Sequence, residues 1–328
     1  MKPRVFLTRE LPPEPMATLR EHVDLHANPH DRVLSRDELL AGVRGRDGLL
    51  SLVTDEIDAE VMDAAPDLRV IANYAVGYNN IDVGAATQRG ILVTNTPDVL
   101  THTTADMAFA LLMAVARRVV EGHDLVRSRA WQGWGPLQLL GADVTGATLG
   151  LIGLGRIGRA MIPRAQGFGM DVVYWNRTRL DAAEETALGV TYAPFEEVLE
   201  RARFVSLHVA STPDTHHLID AAALERLGPD GYLINAARGP IVDERALVRA
   251  LTQGTIAGAG LDVFEREPEL EEGLHDLPNV VLAPHLGSAT LDTRTAMGRL
   301  AVEGLLAGLR GERPKHLVNP EALERKAS

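Results

Sequence analysis

The sequence predicts an α/β protein built from two doubly wound domains, each a parallel sheet with helices on both faces. Three observations predict it. The chain has 328 residues, long for one core and comfortable for two. Short apolar runs alternate with helix-patterned stretches through the first hundred residues. A second alternating series begins near Thr148, beyond a long apolar helical stretch.

In the first series Val5–Thr8, Gly48–Val53, Val70–Ala72 and Ile91–Thr94 read as strands. Glu14–Arg20, Arg36–Val43, Ala59–Ala64 and Val83–Arg89 read as the helices between them. Thr103–Arg129 reads as one long helix. It is apolar on more than one face over Ala105–Ala116, which predicts burial in a core or between subunits. Trp131–Gly141, rich in Trp and Gly, reads as a loop. In the second series the strands are Thr148–Ile152, Val172–Trp175, Phe204–His208, Tyr232–Asn235, Ala257–Leu261 and Val280–Ala283. Arg156–Phe168 is a helix, and Thr290–Arg310 is the last long one. The chain is expected to cross between domains near Pro97–Thr101 and Pro284–Gly287. This gives one domain of residues 1–98 completed by the terminal helix within 287–328, and a second of residues 99–286.

Composition narrows the function. There is no cysteine, which excludes disulfides, thiolate nucleophiles and Cys-based metal sites. The net charge of −12 makes nucleic acid and anionic membrane surfaces poor partners, and an anionic substrate would need a locally positive site. The N-terminal stretch lacks the apolar core of a secretory signal and no run is long and apolar enough for a membrane span, so the expected location is the cytoplasm.

Gly153-Leu154-Gly155-Arg156-Ile157-Gly158 follows an apolar strand and opens a helix. In such a G-x-G-x-x-G the first glycine permits the turn and the second lets backbone approach a pyrophosphate. The third lets helix pack on strand, and the helix N-terminus offers N–H groups to phosphate. This predicts a dinucleotide site. Where an NAD site usually carries an acidic residue on the ribose hydroxyl, this chain has Asn176-Arg177-Thr178. No carboxylate there repels a 2′-phosphate, and Arg177 can pair with one. NADP(H) is therefore expected in preference to NAD(H), with NAD(H) possible.

Three later segments each follow an apolar strand: Asn235–Glu244, Gly260–Pro268 and Ala283–Thr290. Ligands of open α/β sheets sit outside the carboxyl ends of strands, so Arg238, Glu267 and His285 are expected to converge beside the nicotinamide. They supply what reduction of a 2-oxo acid needs. Arg238 can grip the carboxylate and polarise the carbonyl. His285 can donate the proton. Glu267 can hold the imidazole and favour its protonated form.

With these segments in view the chain resembles the D-isomer-specific 2-hydroxyacid dehydrogenases over nearly its full length. The resemblance is carried by VGYNNID (Val76–Asp82), TADMAFALLMAVAR (Thr104–Arg117), GLGRIG, NAARGPIVDERAL (Asn235–Leu247), GAGLDVFEREP (Gly258–Pro268) and APHLGSAT (Ala283–Thr290). It implies a flavodoxin-like substrate domain beside a Rossmann dinucleotide-binding domain, with a cleft that closes on substrate. It assigns the catalytic roles to Arg238, Glu267 and His285. Backbone contacts from Val76 and Gly77 to the substrate carboxylate are implied as well. Thr104, Thr212, Ala236, Ala237, Arg238, Asp262 and Gly287 match cofactor-contacting positions, Asp262 beside the carboxamide.

Within the family the chain is most similar to glyoxylate/hydroxypyruvate reductases. Trp134-Gly135-Pro136 resembles a loop whose Trp reaches the active site of the partner subunit, so a homodimer is expected, with Thr103–Arg129 building its interface. The alternatives are another D-2-hydroxyacid dehydrogenase, of lactate or 3-phosphoglycerate type, or a dinucleotide-sensing protein like the transcriptional corepressors of this fold. Turnover with a 2-oxo acid separates these last from the enzymes. His102, His208, His216 and His217 lack H-x-x-x-H or H-E-x-x-H spacing and read as surface or cofactor-loop positions, so no metal is expected.

Overall fold

The structure is a computed structural model that describes residues 1–325. It divides into two compact units: residues 1–100 with the C-terminal segment from 289, and residues 101–288. Among the described residues no helix is long and apolar enough to cross a membrane.

The first unit holds five strands, β1 (Arg4–Leu7), β2 (Asp24–Ala27), β3 (Gly48–Ser51), β4 (Val70–Asn73) and β5 (Leu92–Thr94), in the order β2-β1-β3-β4-β5. All neighbours run parallel, and the order is that of flavodoxin-like sheets. Every residue of β3, β4 and β5 is buried, as expected of parallel strands covered on both faces. Strand alternation sends Val5, Leu7, Leu50, Val70 and Leu92 to one core and Phe6, Leu49, Ile71 and Val93 to the other. The terminal helix Leu291–Arg310 closes the first core with Ala301, Val302, Leu305 and Leu309. It packs closely because Gly308 carries no side chain; a Cβ there would lie 2.8 Å from Val70. Beyond the helix, buried Asn319 accepts the Val93 N–H (2.8 Å) and donates to the Ile91 carbonyl (2.9 Å), sealing the β5 edge.

The second unit holds seven parallel strands: β6 (Thr148–Ile152), β7 (Asp171–Trp175), β8 (Thr191–Tyr192), β9 (Phe204–Leu207), β10 (Tyr232–Asn235), β11 (Gly258–Leu261) and β12 (Val280–Leu282). Their order, β12-β11-β10-β9-β6-β7-β8, reverses direction between β6 and β9. That reversal is the switch point where such sheets bind ligands.

One expectation needs correcting. Thr103–Arg129 is not one helix but two, Thr101–Ala116 and Val119–Arg127. The break falls where Arg118 is left-handed (φ 51°) and the Ala116 carbonyl turns to accept the N–H of Ala142 (2.8 Å). The apolar part, Ala105–Ala116, is buried in a core, one of the two settings expected for it. Ala105, Ala108, Leu111, Leu112 and Val115 are buried in the unit's own core, where Gly258 and Gly260 of β11 let the helix approach the sheet.

Candidate active site

The glycine turn joins β6 to the helix Arg156–Gly167 at the switch point. Each glycine has a distinct physical reason. Gly153 is left-handed (φ 97°), and a Cβ on it would meet the His208 carbonyl at 2.8 Å. A Cβ on Gly158 would lie 2.2 Å from the Gly153 carbonyl oxygen. A Cβ on Gly155 would meet nothing within 4 Å, which leaves open space on the exposed side of the turn. No side-chain cap closes the first helical turn. These features fit a pyrophosphate.

Beside the turn, Asn176 at the end of β7 accepts the Leu154 N–H (2.7 Å) through its carboxamide oxygen. It thereby fixes the turn from the position where an NAD site usually carries an acidic residue. Arg177 and Thr178 are exposed, and Arg177 has no ion pair among the described residues. Its neighbour Arg179 is by contrast held by Glu185, at 2.8 Å through each of two nitrogens. His208, after β9, lies against the same turn with Nε2 2.9 Å from the Ser206 hydroxyl. Burial of its ring pushes it down to about 4.

Arg238, Glu267 and His285 follow β10, β11 and β12, three adjacent strands. Asn235 shapes the Arg238 turn, accepting the Ala237 N–H (3.1 Å) and donating to the Arg238 carbonyl (2.9 Å). Gly239 then passes so near Phe264 that a Cβ would sit 1.9 Å from its carbonyl carbon, which brings the Arg238 and Glu267 loops together. Burial pushes the Arg238 guanidinium down and the Glu267 charge opposes this. Arg238 Nη1 also donates to the Ala237 carbonyl at 2.7 Å.

Glu267 and His285 form a bonded pair, with Oε2 3.0 Å from Nδ1. The other carboxylate oxygen accepts the Phe264 N–H at 3.0 Å. Burial pushes the Glu267 carboxyl up, but the His285 hydrogen bond and charge, the Phe264 N–H and the Arg238 charge outweigh it. The carboxyl ends below its ordinary value. His285 is left-handed (φ 56°), a conformation uncommon outside glycine and enriched at functional sites. Its backbone N–H donates to the Asp262 carbonyl (2.9 Å). The buried Asp262 carboxylate receives the next two N–H groups, of Leu286 (2.6 Å) and Gly287 (2.7 Å). Burial raises this carboxyl and the two N–H groups oppose the rise. Asp262, expected beside the carboxamide, thus clamps the strap that carries His285, a bonding pattern the sequence gives no sign of.

The remaining expected residues divide by unit. Thr104 is buried in its helix against Gly287, Ala236 and Ala237 lead into Arg238, and Thr212 lies exposed after β9. Val76 and Gly77 belong to the first unit, in the loop after β4. Their carbonyls are taken by Asn95 (2.8 Å) and Asn73 (2.9 Å), and among the described residues their N–H groups have no acceptor. Trp134 is 83% exposed. A grouping that was not expected is His216, His217 and Glu265, whose ligand atoms lie within 4.8 Å of one another. Glu265 is 48 positions from His217, so no local spacing reveals it.

Comparison with known proteins agrees with this geometry. The family model described as D-isomer specific 2-hydroxyacid dehydrogenase, NAD binding domain, matches residues 109–287. The chain is 51% identical over 326 residues to a glyoxylate reductase of Korarchaeum cryptofilum, covering 99% of this chain and 98% of the relative. It is 49% identical to the glyoxylate reductase of Thermococcus litoralis, over 98% of each chain. Among solved structures it is similar to the NADPH-dependent glyoxylate/hydroxypyruvate reductase of Sinorhizobium meliloti in complex with NADP and malonate. The TM-score there is 0.86 at 38% identity, covering 98% of each chain.

Proposed function

The chain belongs to the D-isomer specific 2-hydroxyacid dehydrogenases, and from that premise we propose that it reduces glyoxylate and hydroxypyruvate, to glycolate and D-glycerate, with NAD(P)H. The observation that carries the reading is the bonded Glu267–His285 pair, set on strands adjacent to the one that carries Arg238. When bound, the nicotinamide supplies the hydride. Arg238 holds the substrate carboxylate and polarises the carbonyl. His285 keeps Nδ1 on Glu267, which leaves Nε2 to carry a proton to the carbonyl oxygen. Glu267 orients the ring through that bond. Val76 and Gly77 of the first unit are carried forward as carboxylate contacts through their N–H groups.

The dinucleotide is assigned to the Gly153–Gly158 turn, with Thr104, Thr212, Ala236, Ala237, Arg238, Asp262 and Gly287 as further contacts. NADP(H) is the preferred form on this reading, because Arg177 is exposed and Asn176 carries no charge. The functional test is NADPH oxidation over a panel of small 2-oxo acids. Turnover with glyoxylate and hydroxypyruvate above the rest supports the proposal. Cofactor binding without turnover of any of them would refute it.

A homodimer is part of the same reading. Its support is that Val119, Val120 and Val126, within the expected Thr103–Arg129 stretch, and Trp131, Trp134, Leu137 and Leu140 are exposed apolar residues. Trp134 is proposed to reach the active site of the partner subunit. Sedimentation as a monomer would remove this element. The protein is assigned to the cytoplasm, where reduced nicotinamide is available, and fractionation away from cytoplasmic markers would contradict that.

A further inference from the structure

We propose that His216, His217 and Glu265 form a site for one divalent transition ion of the zinc type, bridging the loop after β9 to the loop after β11. The inference rests on no reading of the reaction. The three side chains offer two imidazole nitrogens and one carboxylate oxygen, all within 4.8 Å of one another. Two of these are already close, with His217 Nε2 2.8 Å from Glu265 Oε1. The two imidazole rings stack on each other, with centroids 3.9 Å apart at 27°. A zinc-type ion takes nitrogen and oxygen ligands at about 2.0–2.2 Å, which places ligand atoms roughly 3.3 Å apart. The present spread needs only side-chain rotation to close to that size. Imidazole with carboxylate selects zinc, cobalt, nickel or copper over calcium and magnesium, which prefer all-oxygen shells.

The surroundings hold this set in place. His217 is left-handed (φ 51°), and its N–H is tied to the Pro240 carbonyl at 2.9 Å. That conformation turns two consecutive histidines to one side, where an extended backbone would alternate them. Glu265 is held through its own N–H, which donates to Glu244 Oε1 at 2.8 Å. Glu244 is buried, and its second oxygen has no hydrogen-bond partner among the described residues. The Glu244 contact fixes the backbone of Glu265 from beneath its loop. His216 is exposed, which leaves an entry path and a fourth position for water. The expectation of no metal followed from spacing along the chain, and this site is assembled across 48 positions by the fold.

The test uses the full chain, freed of any affinity tag and stripped with EDTA. Zn²⁺ is titrated calorimetrically, and Co²⁺ is followed by its visible ligand-field absorption. The expected result is one saturable equivalent per chain and a rise in melting temperature with Zn²⁺. His216→Gln and Glu265→Gln should each weaken binding about tenfold or more, while far-ultraviolet circular dichroism stays that of the wild type. His285→Ala should leave binding unchanged, because the Glu267–His285 pair lies outside the site. The exposed position of His216 makes His216→Gln safe for folding, so at least one variant reports on the site. Absence of saturable Zn²⁺ binding would overturn the proposal. So would full affinity in His216→Gln, or loss of binding in His285→Ala.

Discussion

Acidification should weaken the dinucleotide-binding unit through a single histidine at the glycine turn. His208 is held down to about 4 by burial, against 6.5 for a free side chain. Between those values the unfolded chain binds a proton that the folded chain does not. Stability therefore rises with pH through this window, and is lost as pH falls from about 7 toward 4. The full gap is worth at most about 3 kcal/mol, of which about 2 kcal/mol falls between pH 7.5 and 5. For a domain of this size that is about 4–8 °C in melting temperature. His208→Gln does not titrate and can keep a hydrogen bond to Ser206, which now lies 2.9 Å from Nε2. The assay is thermal unfolding of wild type and variant, each at pH 7.5 and pH 5. Other groups acidify both proteins alike, so the difference between their losses isolates His208. The wild type should lose about 2 kcal/mol more than the variant. Parallel losses would show that the ring is not kept neutral by burial, and the stated cause would be wrong.

Other outcomes follow from the same geometry. Gly155→Ala meets no protein atom within 4 Å, so stability should change by less than about 1 kcal/mol while the KM for NADPH rises strongly; an unchanged KM would deny the turn its phosphate role. Gly158→Ala puts a Cβ 2.2 Å from the Gly153 carbonyl and should cost about 1–3 kcal/mol in unfolding measurements, with or without cofactor. Arg177→Ala should raise the KM for NADPH about tenfold or more while sparing NADH, and equal effects on both would remove it from 2′-phosphate recognition. Arg238→Lys keeps the charge but loses the planar fork; kcat/KM for glyoxylate should fall while NADPH still binds, and near-normal turnover would take Arg238 out of the reaction.

The strand ends were legible because parallel strands buried on both faces read as apolar runs, and each site loop begins where such a run stops. Tyr232–Asn235 before Arg238 and Thr148–Ile152 before the glycine turn were located to the residue. Strands without that signal were not seen. Asp24–Ala27 lies at a sheet edge, with polar residues alternating to solvent, and Thr191–Tyr192 is only two residues long. The helix break near Arg118 was hidden because its cause is Ala142, 26 positions beyond the Ala116 carbonyl that it caps. Within the site, residue types announced Arg238, Glu267 and His285, since each has a chemical task. Asp262 and Asn235 were a different matter. Their work is to hold loop backbone, and only the fold shows which N–H groups they meet.

The measurement closest to the central claim is kcat/KM for glyoxylate reduction against pH, for the wild type, Glu267→Gln and His285→Ala. Reduction requires a protonated donor, so the wild-type rate should fall as pH rises, while oxidation of glycolate should rise over the same range. Glu267 sits 3.0 Å from His285 Nδ1 as a carboxylate held below its ordinary value by that contact. Glu267→Gln should lower kcat/KM for reduction and alter its pH profile, because Nδ1 loses the carboxylate that orients the ring. His285→Ala should lose about 10²–10⁴-fold at every pH. A Glu267→Gln profile that overlays the wild type, or wild-type turnover in His285→Ala, would contradict the assignment of the proton to this pair.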